Sequence, residues 1–202
     1  MAITSGDVKR LRDETGAGMM DCKRALEEAG GDFEQAREIL RKKGLADVAK
    51  RSGKIAAEGV VEAYIQGSGK RGALVEVNCE TDFVANTPEF RTLAREIAMQ
   101  IIAAEPEWVA REDVPEDVVE RERKLFEEQF REQGKPENIL PKIVEGKLGD
   151  FYEQRCLLDQ PFFKDSDGKR TVGDRVAEVS AKVGEKIEVR RFAHFVRGEA
   201  GS

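Results

Sequence analysis

The fold of this chain centres on residues 76–85, EVNCETDFVA. Up to Cys79, apolar and polar residues alternate, which is the pattern of a β-strand with one buried face. The polar run that follows ends in an isolated aromatic residue, Phe83. Thr87 and Pro88 then mark the start of a helix, with threonine as the N-cap and proline at the first helical position. The stretch therefore predicts a strand-to-helix corner that carries Phe83.

Phe83 has two interpretations at this corner. Loops on a rigid scaffold often carry binding residues, so an apolar ring flanked by acids could enter a pocket of another protein. Aromatic side chains are mostly buried, however, and spacing alone favours a ring that turns inward and packs beneath the helix. From the residues alone we expect the inward position, and the outward one stays open.

The segments around the corner predict an α+β core. Alternating residues indicate three strands, at residues 59–66, 72–79 and 187–196, the first two joined by a glycine-rich hairpin. The helix that begins at Pro88 has apolar residues at helical spacing through Ile102, so we expect it to pack on the sheet. Further helical patterns occupy residues 115–133, 138–155 and 171–184.

The first 43 residues predict a compact module of three short helices. Glycines separate the helices, and a capping pattern begins the third helix at Asp32. We expect residues 42–44, KKG, to end that helix. A basic connector follows, which we expect to be a helical linker that frays at Gly53. We place a domain boundary after Lys54, which divides the chain into residues 1–54 and 55–202.

Met19 and Met20 begin the second helix of this module. Consecutive residues point about 100° apart on a helix, so both side chains cannot face the same core. We expect Met20 to be exposed, whereas packing against the first helix explains Met19 equally well. Because methionine is flexible and polarisable, it suits an adaptable contact surface. The neighbouring glycines match no phosphate-binding pattern, since no Gly-Lys-Ser or Gly-Lys-Thr follows.

Composition limits the kinds of function. The 202 residues are 40% hydrophobic and 37% charged, with a formal net charge of -6. Net acidity argues against nucleic acid as the main partner, because phosphate groups are bound by a basic face. The chain has no apolar run of membrane length and no apolar stretch of a secretory signal near its start. We expect a cytoplasmic protein that works by contact with another protein.

The chain offers little material for catalysis. It has one histidine, His194, and three widely separated cysteines without metal-site spacing, which we expect to be reduced. Carboxylates beside Cys79 raise a thiol pKa, so a Cys79–His194 hydrolase is a weak alternative. Residues 165–168, DSDG, resemble only the start of a calcium loop, because the later ligands are absent. We expect neither enzyme activity nor a metal or cofactor.

Two stretches resemble the signature sequences of the elongation factor Ts family. Residues 11–26, LRDETGAGMMDCKRAL, resemble the N-terminal signature, and residues 76–85 resemble the second one. Both stretches are long and occur in the family's order, and the similarity extends over nearly the whole chain. The resemblance implies an α+β fold, with an N-terminal UBA-like three-helix module joined to a core of about three antiparallel strands packed with helices.

The resemblance also implies a function and its residues. Members of this family are guanine nucleotide exchange factors for the GTPase elongation factor Tu, whose magnesium and phosphate site they disturb to promote GDP release. The family's wedge into the GTPase matches Thr81, Asp82, Phe83 and Val84. Contacts of the helical module match Leu11, Arg12, Met19 and Met20. On this basis Phe83 points outward, contrary to the expectation from spacing.

The length of the chain bears on its assembly. Longer members of the family carry a second half of the core and a protruding coiled coil, which 202 residues cannot hold. The chain resembles the short form of the family, which dimerises through its sheet. The last strand, with Phe192 and Phe195 on opposite faces, fits a sheet buried on both sides. We therefore expect a homodimer.

The alternative to an exchange factor is a helical adaptor that binds ubiquitin-like or other peptide partners. This alternative explains the three-helix module but not the corner that carries Phe83.

Overall fold

A computed structural model describes residues 3–51 and 53–198 of this chain as an α+β protein. The helices are α1 (Ser5–Thr15), α2 (Met19–Glu28), α3 (Phe33–Arg51), α4 (Asp82–Ala85), α5 (Pro88–Ala104), α6 (Glu116–Glu132), α7 (Leu140–Arg155) and α8 (Val172–Val183). The strands are β1 (Glu58–Ile65), β2 (Arg71–Cys79) and β3 (Ile187–Val196). Short 3-10 turns occupy Arg111–Asp113 and Leu157–Asp159. The predicted fold class and the three predicted strands are confirmed.

Internal contacts divide the chain into two compact units. The first consists of Met1–Val61, Glu76–Ala94 and Asp174–Val189. The second consists of Glu62–Val75, Arg95–Gly173 and Arg190–Ser202. The boundary after Lys54, which we inferred from composition, stays a prediction.

The three helices of the N-terminal module enclose a small core within the first unit. Its buried side chains are Val8, Leu11, Cys22, Ala25, Leu26, Ala29 and Ala36. Thr4 begins α1 with a capping box that includes Asp7, and Gly16 ends it in the left-handed conformation, at φ 69°. The prediction of three helices is confirmed.

Helix α3 runs without a break into the connector, for which a helical structure was expected. The expectation that residues 42–44 end it is wrong, because the helix continues through Gly44 to Arg51. A glycine inside a helix costs only about 1 kcal/mol relative to alanine, so contacts elsewhere can offset it. Arg41 pairs with Asp174 at 3.2 Å, and the Arg51 side chain donates to the Ser180 carbonyl at 3.5 Å. Both partners lie on α8, so packing along α8 supports the extended helix.

The three strands form one antiparallel sheet in the order β1-β2-β3. On β2 the buried side chains are Ala73, Val75, Val77 and Cys79, which all share one face. Helix α5 packs on the sheet as expected. Its Arg95 lies over the Tyr64 ring and 3.7 Å from Glu62, and the Arg71 side chain donates to the Ile102 carbonyl at 3.5 Å.

The second unit also contains α6, α7 and the segment that leads to α8. Buried Gln100 links α5 to this segment by donating to the Pro161 carbonyl at 3.2 Å and accepting from the Phe163 amide at 2.9 Å. The DSDG turn is closed by the residues that follow it, since the Asp165 carboxylate accepts from the amides of Lys169 and Arg170. Throughout residues 3–51 and 53–198, no group of three or more His, Cys, Asp or Glu residues is arranged to hold a metal ion. No described helix combines the length and apolar character needed to cross a bilayer.

Candidate partner-binding site

The wedge segment, residues 81–84, forms most of a single helical turn between β2 and α5. Thr81 is the N-cap of α4, and its hydroxyl accepts from the Val84 amide at 3.3 Å. The Asn86 side chain donates to the Asp82 carbonyl at 2.9 Å and closes the other end of the turn. The sequence analysis missed α4 because one turn is too short to show helical periodicity. The local signal for it was the threonine three residues before Val84.

Helix α5 begins directly after this turn. The Thr87 hydroxyl donates to the Val84 carbonyl at 2.8 Å and accepts from the Phe90 amide at 3.3 Å. The predicted capping role of Thr87 is therefore confirmed. Phe90 is fully buried at the start of α5, so the turn is attached to a helix that is anchored in the core.

Phe83 projects into solvent with 78% of its surface exposed. The expectation from spacing that its ring turns inward is wrong. Val84 and Ala85 are buried instead and occupy the core side of the turn. Because successive residues of a helix are rotated by about 100°, a single turn that buries these two residues directs Phe83 outward. An aromatic ring left in water forgoes about 2 kcal/mol of burial energy, which is typical of a contact residue.

Polar residues flank the exposed ring. Thr81 and Asp82 are both exposed, whereas Val84 is buried and supports the turn from beneath. The four predicted wedge residues are thus adjacent on one turn, but they do not share one surface. Phe83 and Asp82 are the side chains available to a partner at the tip.

Glu185 contacts the start of this turn from a distant part of the chain. Its Oε2 accepts from the amides of Glu80 and Thr81 at 3.1 and 3.0 Å, and its Oε1 accepts from the Thr81 hydroxyl at 2.7 Å. Glu185 precedes β3 and lies more than 100 positions from its partners, at separations of 105 and 104 residues. No local pattern pointed to this contact, so the sequence analysis missed it.

Glu80 makes the reciprocal contact. Its Oε1 accepts from the Lys186 amide at 2.7 Å, and its Oε2 accepts from the Lys54 ammonium group at 2.7 Å. The hydrogen bond from Lys54, followed by the one from Lys186, holds the pKa of the Glu80 carboxyl below its usual range. The end of β2 is therefore held by charge-assisted hydrogen bonds on both sides of the chain.

Cys79 serves the same corner as a structural thiol. Its sulfur donates to the Thr81 carbonyl at 3.1 Å, and its side chain is fully buried. Burial, and next the nearby charge of Glu185, raise the pKa of the Cys79 thiol. A thiol that keeps its proton is a poor nucleophile, and this environment argues against the hydrolase alternative.

The predicted contact residues of the three-helix module lie at two depths. Met20 is 61% exposed, as expected, and Met19 is 45% exposed. Arg12 is also exposed, on α1. Leu11 is fully buried in the core of the module, so its side chain supports α1 from within. The free surface here consists of Met19, Met20 and Arg12.

The end of α1 in the three-helix module faces the first turn of α5 within the first unit. A cavity of about 350 Å³ separates the end of α1 from α5 and α8. Lys182 of α8 crosses this region, with its ammonium group 3.1 Å from Glu89 of α5. A Cβ on Gly16 would lie only 3.1 Å from the Lys182 side chain. Gly16 therefore permits a close approach between the end of α1 and α8.

Comparisons with known proteins agree on one family. The family model described as Elongation factor TS matches residues 46–169. The chain is 60% identical over 197 residues to elongation factor Ts of Carboxydothermus hydrogenoformans, covering 98% of this chain and 90% of that protein. It is 58% identical over 197 residues to elongation factor Ts of Moorella thermoacetica, with coverage of 98% and 96%. The corresponding protein of Desulforamulus reducens is 57% identical over 197 residues, with coverage of 98% and 90%.

Proposed function

The chain belongs to the elongation factor Ts family of translation elongation factors, and we propose that it promotes GDP release from elongation factor Tu. It acts in protein biosynthesis as a guanine nucleotide exchange factor that binds the GTPase–GDP complex. The observation that carries this proposal is the exposed ring of Phe83 on a short, hydrogen-bonded turn. The cytoplasm, where translation takes place, is the proposed site of action.

The wedge acts on the magnesium and phosphate site of the GTPase. Phe83 enters an apolar gap between helices of the GTPase near this site, and Asp82 makes polar contacts beside it. Magnesium requires near-ideal octahedral geometry, so a small displacement of its surroundings weakens its binding. Loss of the ion removes positive charge from the diphosphate. GDP is then held less tightly and dissociates faster.

Exchange follows from linked binding equilibria. Because the factor and GDP oppose each other through one coupling free energy, each weakens the other by the same factor. The factor therefore does not select GTP; an excess of GTP over GDP sets the direction by mass action. No covalent bond is made or broken, so the chain is not an enzyme in the chemical sense and needs no cofactor.

The three-helix module supplies a second contact with the GTPase. We assign this module to the UBA-like class, with docking on the nucleotide-binding domain of elongation factor Tu. Met19, Met20 and Arg12 offer an exposed apolar surface with an adjacent positive charge. Methionine side chains adapt to the shape of a partner. Leu11 acts through the packing of α1 rather than by contact.

The proposed assembly is a homodimer formed through the sheet. Ile65, Leu74 and Phe195 are large apolar residues of the second unit that are exposed. A Cβ on Gly72 would lie 3.7 Å from Ile65, so these two residues share a face, and Leu74 follows by alternation. The Arg197 amide donates to the Lys70 carbonyl, which sets Phe195 opposite Gly72 on that face. An exposed apolar sheet face of this kind is typical of an interface.

The test is the release of a fluorescent GDP analogue from elongation factor Tu. We expect the wild-type chain to accelerate release and Phe83→Ala to lose most of the acceleration. Leu125→Ala is the matched control, because Leu125 is a large exposed apolar residue of α6 outside the wedge. Acceleration that survives in Phe83→Ala would exclude Phe83 as the wedge. No acceleration by the folded wild type would exclude the exchange function.

The adaptor alternative makes a different prediction in the same experiment. A helical peptide-binding module would bind a partner through its three helices, up to Lys43, without changing the release of GDP. It gives no reason for an exposed phenylalanine at the corner, which the exchange function explains. Binding of elongation factor Tu without any acceleration would favour the adaptor.

A further inference from the structure

Glu185 is held in a fixed position at the end of α8. It follows Gly184, which has the left-handed φ of 79° that ends many helices. The Ser180 hydroxyl donates to the Glu185 carbonyl, and the Ser180 side chain is fully buried. The Glu185 side chain is itself half-buried. The backbone of Glu185 is therefore anchored in the core of the first unit, and this holds its carboxylate in place as a hydrogen-bond acceptor.

This carboxylate controls the direction of the Thr81 hydroxyl. A threonine hydroxyl has one proton to donate and two lone pairs that accept. The hydroxyl donates its proton to Glu185 Oε1 at 2.7 Å, which leaves a lone pair to accept from the Val84 amide at 3.3 Å. The contact with Glu185 thus orients the N-cap of the turn that carries Phe83.

The same carboxylate also fixes the backbone that leads into the turn. Glu185 Oε2 accepts from two consecutive amides, those of Glu80 and Thr81. Hydrogen bonds to an ionised acceptor are stronger than those between neutral groups. Phe83 has little contact of its own with the protein, because most of its ring lies in solvent. Its direction is therefore set by the turn, whose core side is held by buried Val84 and Ala85 and whose start is held by Glu185.

We propose that Glu185 is a positioning residue for nucleotide exchange, which orients the wedge segment before it enters the GTPase. The inference rests on the proposed function and assigns a role to a residue outside both predicted contact surfaces. Without the carboxylate, Thr81 and the Glu80 amide lose a common acceptor and the turn adopts several orientations. Binding must then order the turn as well, so less of the binding energy is available to displace the magnesium site.

The experiment measures two quantities for each variant: the maximal rate of GDP release and the concentration of factor that gives half of that rate. We expect Glu185→Ala to lower the maximal rate about tenfold, since the hydrogen bonds to one charged group are lost. Glu185→Gln keeps most of the rate, because its amide oxygen still accepts from both backbone amides and its amide nitrogen can donate to Thr81. Glu132→Ala, which removes an exposed acid of α6, is the control and leaves both quantities unchanged.

A double substitution tests whether Glu185 acts through Phe83. In a Phe83→Ala background, Glu185→Ala should cause no further loss, because the ring that it orients is already absent. If Glu185→Ala lowered the maximal rate by the same factor in the wild-type and the Phe83→Ala backgrounds, the inference would be overturned. A change in half-saturation with an unchanged maximal rate, which is the effect of a smaller folded fraction, would also overturn it.

Two outcomes separate this inference from the proposed function. If the wild type accelerates release and Phe83→Ala does not, but Glu185→Ala matches the wild type, only the role of Glu185 is overturned. If the folded wild type fails to accelerate release, both are overturned. Should Glu185→Ala not fold, Glu185→Asp replaces it, because the shorter side chain keeps the charge but draws the carboxylate away from the two amides. The expected result is again a lower maximal rate.

Discussion

Glu80 and Glu185 each accept a hydrogen bond from the backbone of the other's segment. Glu185 Oε2 accepts from the Glu80 amide at 3.1 Å, and Glu80 Oε1 accepts from the Lys186 amide at 2.7 Å. The Lys54 ammonium group donates to Glu80 Oε2, which links the segment that follows α3 to the same place. Three parts of the chain that are far apart in sequence therefore meet beside the turn that carries Phe83. Charge-assisted hydrogen bonds therefore hold the start of this turn.

Replacing Phe83 should leave the stability of the fold unchanged. Because the ring is mostly in solvent, we expect Phe83→Ala to change the free energy of unfolding by less than about 0.5 kcal/mol. Phe90→Ala removes a fully buried ring seven positions along the chain and should cost about 3–5 kcal/mol. Urea unfolding of both variants measures the difference. Similar losses in the two variants would mean that Phe83 packs in the core.

Met20 should contribute to docking and not to the exchange step. We expect Met20→Ala to raise the half-saturating concentration of factor about fivefold, which corresponds to about 1 kcal/mol of apolar contact. The maximal rate of GDP release should stay the same, because the wedge is intact. Leu125→Ala serves as the control for loss of an exposed apolar side chain. An unchanged half-saturating concentration would remove Met20 from the interface.

A charge on the outer face of the sheet should separate the proposed dimer. Phe195 is 67% exposed on β3, so Phe195→Asp should fold normally while it buries an unpaired charge in any sheet-to-sheet interface. We expect a dimeric mass for the wild type and a monomeric mass for this variant in sedimentation equilibrium. Leu125→Asp, on α6, should remain dimeric. A monomeric wild type would refute the dimer.

Gly59 should be required by the geometry of the sheet. Its φ is 151°, and a Cβ at this position would lie 2.2 Å from the Val77 carbonyl oxygen. We expect Gly59→Ala to lower the free energy of unfolding by about 2 kcal/mol or more, because the backbone must move. Gly146→Ala is the matched control, since it lies in α7 with open space around it. That change should stabilise the chain by about 1 kcal/mol.

The Cys156 thiol should make the stability of the fold fall at alkaline pH. Burial raises its pKa from the ordinary 9.0 to about 11. Between these pH values the unfolded thiol loses its proton while the folded thiol keeps it. Its contribution is therefore complete below pH 9 and is lost as the pH rises through 11.

The measurement for Cys156 is urea unfolding between pH 8 and pH 11 under reducing conditions, with Cys156→Ala as the comparison. The free energy of unfolding of the wild type should fall by roughly 2 kcal/mol more than that of the variant across this range. Other groups titrate in both proteins and cancel in the difference. Parallel pH profiles would show that the folded thiol titrates as it does in the unfolded chain.

The regular elements of this chain were predictable because their signals are local. Residues 187–196 alternate and were predicted as a strand with the bounds that β3 has. The threonine–proline start of α5 was predicted for the same reason, since a cap depends on residues within one turn. The end of α3 was predicted wrongly, because its continuation through Gly44 depends on packing against α8.

In the candidate site too, features that depend on neighbouring residues were predicted and features that depend on distant contacts were not. The identity of the corner and the exposure of Met20 followed from residues that are close together in the sequence. Spacing did not give the direction of Phe83, which only the family resemblance implied, because it depends on Val84 and Ala85 filling the core beneath the turn. Glu185 had no local signal, because its contacts with Glu80 and Thr81 are more than 100 residues away in the chain.

The sequence by itself determined the α+β class, the three strands, the three-helix module and the resemblance to one family. These depend on periodicity, caps and motifs, which are properties of short stretches of chain. Only the tertiary structure decided that Val84 and Ala85 pack beneath the turn that carries Phe83, that Gly59 lies against Val77, and that Glu185 holds the start of the turn. Each of these depends on which distant backbone and side-chain groups meet, and that is settled when the whole core packs.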